Sequence, residues 1–108
     1  MAGSEESLFE PPVGLVYRGG SDLTPRKFDV DIDSRTGLLK PTRGVSVHMD
    51  PKSLEKFGGA YRIKSLPEGL QLKQRGKDLN HYEIVPAEPM SFEQYAELLK
   101  RVILEGPV

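Results

Sequence analysis

Glycine and proline limit the length of every helix and strand that this chain can form. The sequence has eleven glycines and nine prolines among 108 residues. Proline removes a backbone hydrogen-bond donor and glycine favours turns, so both residues tend to end regular structure. A chain of this length also has room for only one domain with a modest core. We therefore expect a single domain of short elements joined by many turns.

Several segments have the composition of short strands. They are apolar or alternate between apolar and polar residues, and turn-forming residues follow them. Their residues are 13–18, 44–48, 60–63, 70–73 and 81–85. A further short strand is predicted around residues 28–32, because Phe28, Val30 and Ile32 alternate with aspartates. The sequence therefore predicts about five or six strands.

Two helices are indicated by their capping residues. Asp50 precedes Pro51, which favours a short helix over 50–57 that ends at the following glycine pair. Ser91 and Gln94 form a capping box at the start of a longer C-terminal helix. Its apolar stripe comprises Phe92, Tyr95, Leu98, Leu99, Val102 and Ile103. The fold class predicted is α+β, with a small mixed or antiparallel sheet, one short helix and a C-terminal helix.

Residues 1–12 are small, acidic and end in proline, and we expect them to be a disordered leader before one domain over 13–108.

Composition excludes several classes of function. The net charge of −1 gives no basic field for nucleic acid. The absence of cysteine removes disulfides and thiol chemistry. No apolar run approaches the roughly 18 residues of a membrane span, so we expect a cytoplasmic protein without a membrane partner.

Metal binding has little support in the sequence. The aspartates at 29, 31 and 33 resemble the start of a calcium loop, but its sixth and twelfth positions hold Ser34 and Lys40 instead of glycine and glutamate. His48 and His81 lack a carboxylate at ligand spacing. We therefore predict no metal cofactor.

Three polar residues in apolar strands are candidates for a binding cleft. Arg18 closes a strand before two glycines, where its planar guanidinium can bind a phosphate or remain an exposed strand-end charge. Ser46 lies between two valines and faces either water or a cleft. Glu83 lies within the 81–85 strand and is either an outward-facing residue or part of a site. Each residue taken alone fits an ordinary structural role.

The order of these residues resembles that of the ADP-ribosyltransferase toxins. The resemblance rests on Tyr17-Arg18, on Gly44-Val45-Ser46-Val47 and on the block from His81 to Met90. More narrowly, the chain is similar to the Tse-two family of type VI secretion toxins and their fungal relatives. The serine motif departs from the usual Ser-Thr-Ser of larger toxins, because Ser46 follows Gly44-Val45.

The resemblance implies an ADP-ribosyltransferase-like fold that uses NAD as its substrate. Arg18, Ser46 and Glu83 would be the catalytic residues: Arg18 would hold a phosphate, Ser46 would orient the ribose side and Glu83 would stabilise the developing positive charge. Tyr17, Tyr61, His81 and Tyr82 would complete the NAD-binding set, with Tyr61 or Tyr82 stacking on nicotinamide. An unknown intracellular acceptor and an immunity or antitoxin protein are the implied partners. The alternatives are a non-catalytic binding module of the same fold and an RNA-directed transferase, which the lack of a basic face disfavours.

Overall fold

Strands form where buried and exposed side chains alternate or where a run of apolar residues is wholly buried. The computed structural model describes residues 13–108, so the leader predicted over 1–12 lies outside the described residues. The strands are β1 (Tyr17–Gly19), β2 (Val45–His48), β3 (Ala60–Ser65), β4 (Leu70–Gln74), β5 (His81–Pro86) and β6 (Ile103–Glu105). Most of the predicted strand segments are confirmed.

All six strands belong to one sheet. Their order is β4-β5-β2-β1-β3-β6, and every neighbouring pair is antiparallel. The prediction of an α+β fold with a small antiparallel sheet is confirmed. β1 is only three residues long yet occupies an interior position in the sheet.

Helix α1 (Phe92–Leu99) begins where the sequence predicts. The Ser91 hydroxyl accepts a hydrogen bond from the Gln94 backbone N–H at 3.1 Å, as an N-cap does. The predicted apolar stripe is only partly correct, because the helix ends at Leu99. Ile103 belongs to β6 and is 55% exposed. Pairing of Ile103 with Ser65 of β3 overrides the helical spacing at this end.

The strand predicted around residues 28–32 is wrong. Lys27–Asp29 form a short 3₁₀ helix, and Ile32 makes only an isolated bridge to Leu39. The Asp29 carboxylate accepts the Arg26 N–H at 2.8 Å and closes this turn, so a local hydrogen bond prevails over the alternating pattern.

The short helix predicted after Asp50 is present as a 3₁₀ helix over Pro51–Phe57. The Asp50 side chain accepts the Lys52 N–H at 3.0 Å, and Gly58 ends the helix in the left-handed region at φ 96°. This helix packs against β1, β2 and β3.

The core lies on one face of the sheet beneath α1. Val45, Val47 and Ile84 contribute its centre, and Tyr95 and Leu99 of α1 are buried against them. Leu23, Val30 and Leu39 from the long β1–β2 connection complete this layer. The site described below therefore lies in a sheet that α1 and this connection support from one face.

A tyrosine hydroxyl replaces a backbone bond between β2 and β5. Val45 and Ile84 are register partners. The Tyr95 hydroxyl donates to the Ile84 carbonyl at 2.5 Å and accepts the Val45 N–H at 3.0 Å. Burial raises the pKa of Tyr95 well above its usual value, so this hydroxyl remains protonated. α1 is thus joined to both strands through one phenol.

The backbone at Gly44 approaches β5 too closely for a side chain. A Cβ atom at this position would lie 1.7 Å from the Ile84 carbonyl oxygen and 2.6 Å from the Tyr95 hydroxyl. Glycine is therefore required here by close approach of two backbones.

Tyr95→Phe should lower the free energy of unfolding by about 2–4 kcal/mol, because the buried N–H of Val45 and C=O of Ile84 both lose their partner. Urea denaturation measures the change. Tyr82→Phe is the matched control, since no hydrogen bond of the Tyr82 hydroxyl occurs within residues 13–108. Equal losses in the two variants would show that the phenol does not hold the strands.

Gly44→Ala should prevent folding or cost more than about 3 kcal/mol, because the added methyl overlaps backbone atoms of Ile84. The control is Gly76→Ala, where φ is +81° and no atom lies within 4 Å of the added carbon. We expect that control to lose only about 1–2 kcal/mol. Thermal unfolding followed by circular dichroism compares them, and similar melting temperatures would contradict the prediction.

Candidate functional site

The pairing between β1 and β2 stops after one residue pair, although β1 itself continues to Gly19. β1 pairs with β2 at Tyr17↔His48, whereas its pairing with β3 extends over all three residues. The same register would place Gly19 opposite Ser46, but the two strands are not paired there. The Arg18 guanidinium takes that place: Nη1 donates to the Ser46 carbonyl at 2.8 Å, and Nε donates to the Asp22 carbonyl at 3.1 Å.

Arg18 is a half-buried cation whose contacts are neutral. Burial lowers its pKa, while the charges of Asp29 and Asp22 oppose that shift, and an arginine remains protonated at neutral pH. Within residues 13–108, no carboxylate lies close enough to Arg18 for an ion pair. The two bonded carbonyls leave further guanidinium N–H groups for a ligand. This arrangement suits an anion such as phosphate.

A cavity of about 190 Å³ lies at this junction of β1 and β2. It brings together three of the predicted site residues, Arg18, Ser46 and His81. The remaining lining residues are Gly19, Val47, His48, Leu54 and Phe57. Residues far apart in the chain therefore meet in one place.

Glu83 lies behind this cavity rather than in its lining. It is paired with Ser46 across β2 and β5 and is 7% exposed. Its Oε1 accepts the Gly44 N–H at 3.0 Å, and its Oε2 lies 3.1 Å from His81 Nε2. Arg75 Nη1 lies 3.9 Å from Oε1. The carboxylate thus reaches the cavity through the His81 ring, which donates to it when Nε2 carries the proton.

His48 also lines the cavity, although it was not among the predicted site residues. Its Nδ1 accepts the Asp50 N–H at 3.0 Å, so its proton is on Nε2, which lies 2.8 Å from the Asp78 carboxylate. This contact and the Asn80 N–H hold the pKa of Asp78 below its usual value. His48 and His81 are register partners, which their positions in the chain do not reveal.

The three predicted tyrosines lie outside the cavity lining. Tyr17 shares a sheet face with His48, and the Arg62 guanidinium lies 5.8 Å from the centre of its ring. Tyr61 pairs with Arg18 across β1 and β3. Tyr82 packs against the core on the face opposite His81. The aromatic ring in the lining is Phe57, which was not among the predicted site residues.

A second cavity adjoins the first and shares two residues with it. Its volume is about 360 Å³, and Arg18 and Phe57 line both cavities. The other lining residues are Asp22, Thr24, Arg26, Phe28 and Asp29. Arg18 therefore stands between two adjoining spaces.

Two further cavities lined by residues 13–108 offer less chemistry. One of about 280 Å³ lies between α1 and residues 21–25, and Lys100 is the sole ionisable side chain in its lining. One of about 450 Å³ is an open surface depression near β4, with Lys64 as its ionisable lining residue. Within residues 13–108, no three histidines or carboxylates are grouped to hold a metal ion. No helix in this part of the chain has the length and hydropathy needed to cross a membrane.

The chain was compared with protein-family models, curated proteins and solved structures. Nothing in these three comparisons matches it. The resemblance to ADP-ribosyltransferase toxins therefore rests on the sequence motifs and stays a prediction.

Proposed function

We propose that this protein has an ADP-ribosyltransferase-like fold, binds NAD across the two adjoining cavities and transfers ADP-ribose to an intracellular acceptor. The observation that carries the proposal is the position of Arg18, a half-buried cation that lines both cavities. The parts of NAD correspond to this arrangement: its two nucleosides match the two cavities, and the anionic pyrophosphate that joins them matches Arg18.

Cavity size supports a ligand with two parts. Sites for small molecules usually measure roughly 300–1,000 Å³, so the cavity of about 190 Å³ is too small for a whole dinucleotide. Adding the neighbouring cavity of about 360 Å³ brings the volume into that range. The pyrophosphate would then lie at Arg18, with one nucleoside on each side.

The smaller cavity has the groups needed to handle the nicotinamide ribose. In the transfer, the bond between ribose C1′ and the nicotinamide nitrogen breaks, and its electron pair leaves with nicotinamide. The ribose becomes oxocarbenium-like and positive, which a nearby carboxylate stabilises. Glu83 would act on it through His81, and the Ser46 side chain would bond a ribose hydroxyl. The acceptor then attacks C1′, forms the new bond to ribose and loses its proton to solvent.

A nucleotide-binding module without turnover is the second candidate function. The observation that favours it is the engagement of both Glu83 oxygens, one by the Gly44 N–H and one by His81. A carboxylate held in this way supports the strands and has less freedom to contact a substrate. Such a module would act by occupying a nucleotide or protein site, and a toxin of either kind would have an immunity protein as partner.

Arg18→Ala should weaken NAD binding at least about 10-fold, because charge-assisted hydrogen bonds to the pyrophosphate are lost. Isothermal titration calorimetry with NAD measures the affinity. Arg101→Ala removes an exposed arginine outside both cavities and should have no effect. Arg18→Lys keeps the charge but lacks the planar fork that bonds the Ser46 and Asp22 carbonyls, and its affinity should be intermediate. Failure of the wild type to bind NAD, or equal affinity in Arg18→Ala, would contradict the proposal.

Glu83→Gln should reduce nicotinamide release from NAD about 100-fold or more while NAD affinity changes little, because the negative charge is needed after the bond begins to break. The assay uses nicotinamide-labelled NAD with a cell lysate as the source of acceptor. Glu93→Gln, which removes an exposed carboxylate on α1, is the control. A wild type that binds NAD without releasing nicotinamide would overturn the transferase and leave the binding module.

A further inference from the structure

We propose that the cavity of about 360 Å³ holds the adenosine half of the dinucleotide and selects an unsubstituted ribose, so that NAD is preferred over NADP. This inference rests on the proposed function and adds to it an orientation of the ligand and a specificity. Three chemical groups in the cavity match the three parts of an adenylate: two aromatic rings, two arginines and two aspartates.

The aromatic rings are exposed without serving the core. Phe28 is 67% exposed and Phe57 is 57% exposed, and both line this cavity. Phe57 is nevertheless fixed, because a Cβ atom at Gly19 would lie only 2.7 Å from its Cδ2. Phe28 is carried by the 3₁₀ turn that the Asp29 side chain closes. Rings exposed and held in this way offer stacking surface to a planar base.

The two arginines of this cavity can bind the phosphate of an adenylate. Arg18 stands where the two cavities meet, and Arg26 lies in the larger cavity with its guanidinium 5.7 Å from the centre of the Phe28 ring. Arginine binds phosphate through its planar fork and also stacks on aromatic faces. The phosphate of a base stacked beside Phe28 would therefore lie within reach of a cation.

The aspartates provide acceptors for a ribose diol. Asp22 Oδ1 accepts the Thr24 N–H at 2.8 Å, and Asp29 Oδ2 accepts the Arg26 N–H at the same distance. The hydrogen bonds from Thr24, with the nearby Arg18 and Arg26 charges, hold the pKa of Asp22 below its usual value. Each of these two backbone bonds engages one oxygen of a carboxylate that has two. An ionised carboxylate accepts from a 2′-hydroxyl and repels a 2′-phosphate, as in sites that select NAD.

Charge balance distinguishes this cavity from a simple anion site. Two arginines and two aspartates line it, so the local net charge is zero. A free phosphate ion gains little from such a field, whereas a nucleotide can use the cations, the acceptors and the rings together. We therefore expect AMP to bind and inorganic phosphate not to compete with it.

The test measures AMP binding by calorimetry with the full chain. Phe57→Ala and Phe28→Ala should each weaken AMP about 10-fold, as expected for the loss of one stacking contact. Leu79→Ala, at a residue 74% exposed and outside both cavities, should leave the affinity within about 2-fold. Nicotinamide mononucleotide is titrated in parallel, and its affinity should not depend on Phe28.

Ribose selection is tested with NAD and NADP. The wild type should bind NAD at least about 10-fold more tightly, and the double variant Asp22→Asn with Asp29→Asn should remove most of that preference. Asparagine still accepts the hydrogen bonds that form the turns, so the backbone should be retained. Equal binding of NAD and NADP by the wild type would overturn the specificity.

The possible failures have different meanings. Binding of NAD with no binding of AMP, competition by inorganic phosphate, or AMP affinity unchanged by both phenylalanine variants would overturn the adenosine assignment and leave the proposed function standing. A protein that binds neither NAD nor AMP would overturn both.

Discussion

The Tyr95 hydroxyl is the interaction on which the site depends. It joins the Val45 N–H to the Ile84 carbonyl, so one side chain from α1 completes the contact between β2 and β5. That contact sets Ser46 opposite Glu83 and allows the Gly44 N–H to reach the Glu83 carboxylate. A buried phenol costs much free energy unless both of its hydrogen-bonding capacities are used, and here both are. Helix packing and site geometry therefore depend on the same group.

The cavity itself follows from the separation of β1 from β2 after one residue pair. An interior strand normally satisfies the backbone groups of both neighbours. β1 extends for three residues only, and the Arg18 side chain bonds the Ser46 carbonyl in place of a β1 backbone group. The 3₁₀ helix Pro51–Phe57 then covers the gap, since Leu54 and Phe57 line the cavity. The Arg18 cation is thereby held by carbonyl groups, and within residues 13–108 it forms no ion pair with a carboxylate, which would add a desolvation cost.

Local signals in the sequence predict much of this fold, whereas contacts between residues distant in the chain could not be predicted. The caps at Asp50 and Ser91 were predictable because each depends on hydrogen bonds within a few residues. The strand expected around Phe28 and the helical position of Ile103 were wrong, because a side-chain cap and pairing with β3 prevail there. Arg18, Ser46 and His81 were identified as site residues and do meet in one cavity. The His48–His81 pairing and the contact of Phe57 with Gly19 depend on register and tertiary packing, which periodicity does not encode.

The residues around the gap come from β1, β2, β5 and a helix between β2 and β3, so the gap exists only when these four segments are assembled. A molecule held there would act as a non-covalent cross-link among segments that are distant in the chain. Binding would raise the free energy of unfolding by an amount that grows with the logarithm of the ratio of ligand concentration to dissociation constant. Local opening of any one of these strands would release it. Binding of a ligand in the gap and opening of the strands that line it are therefore linked equilibria.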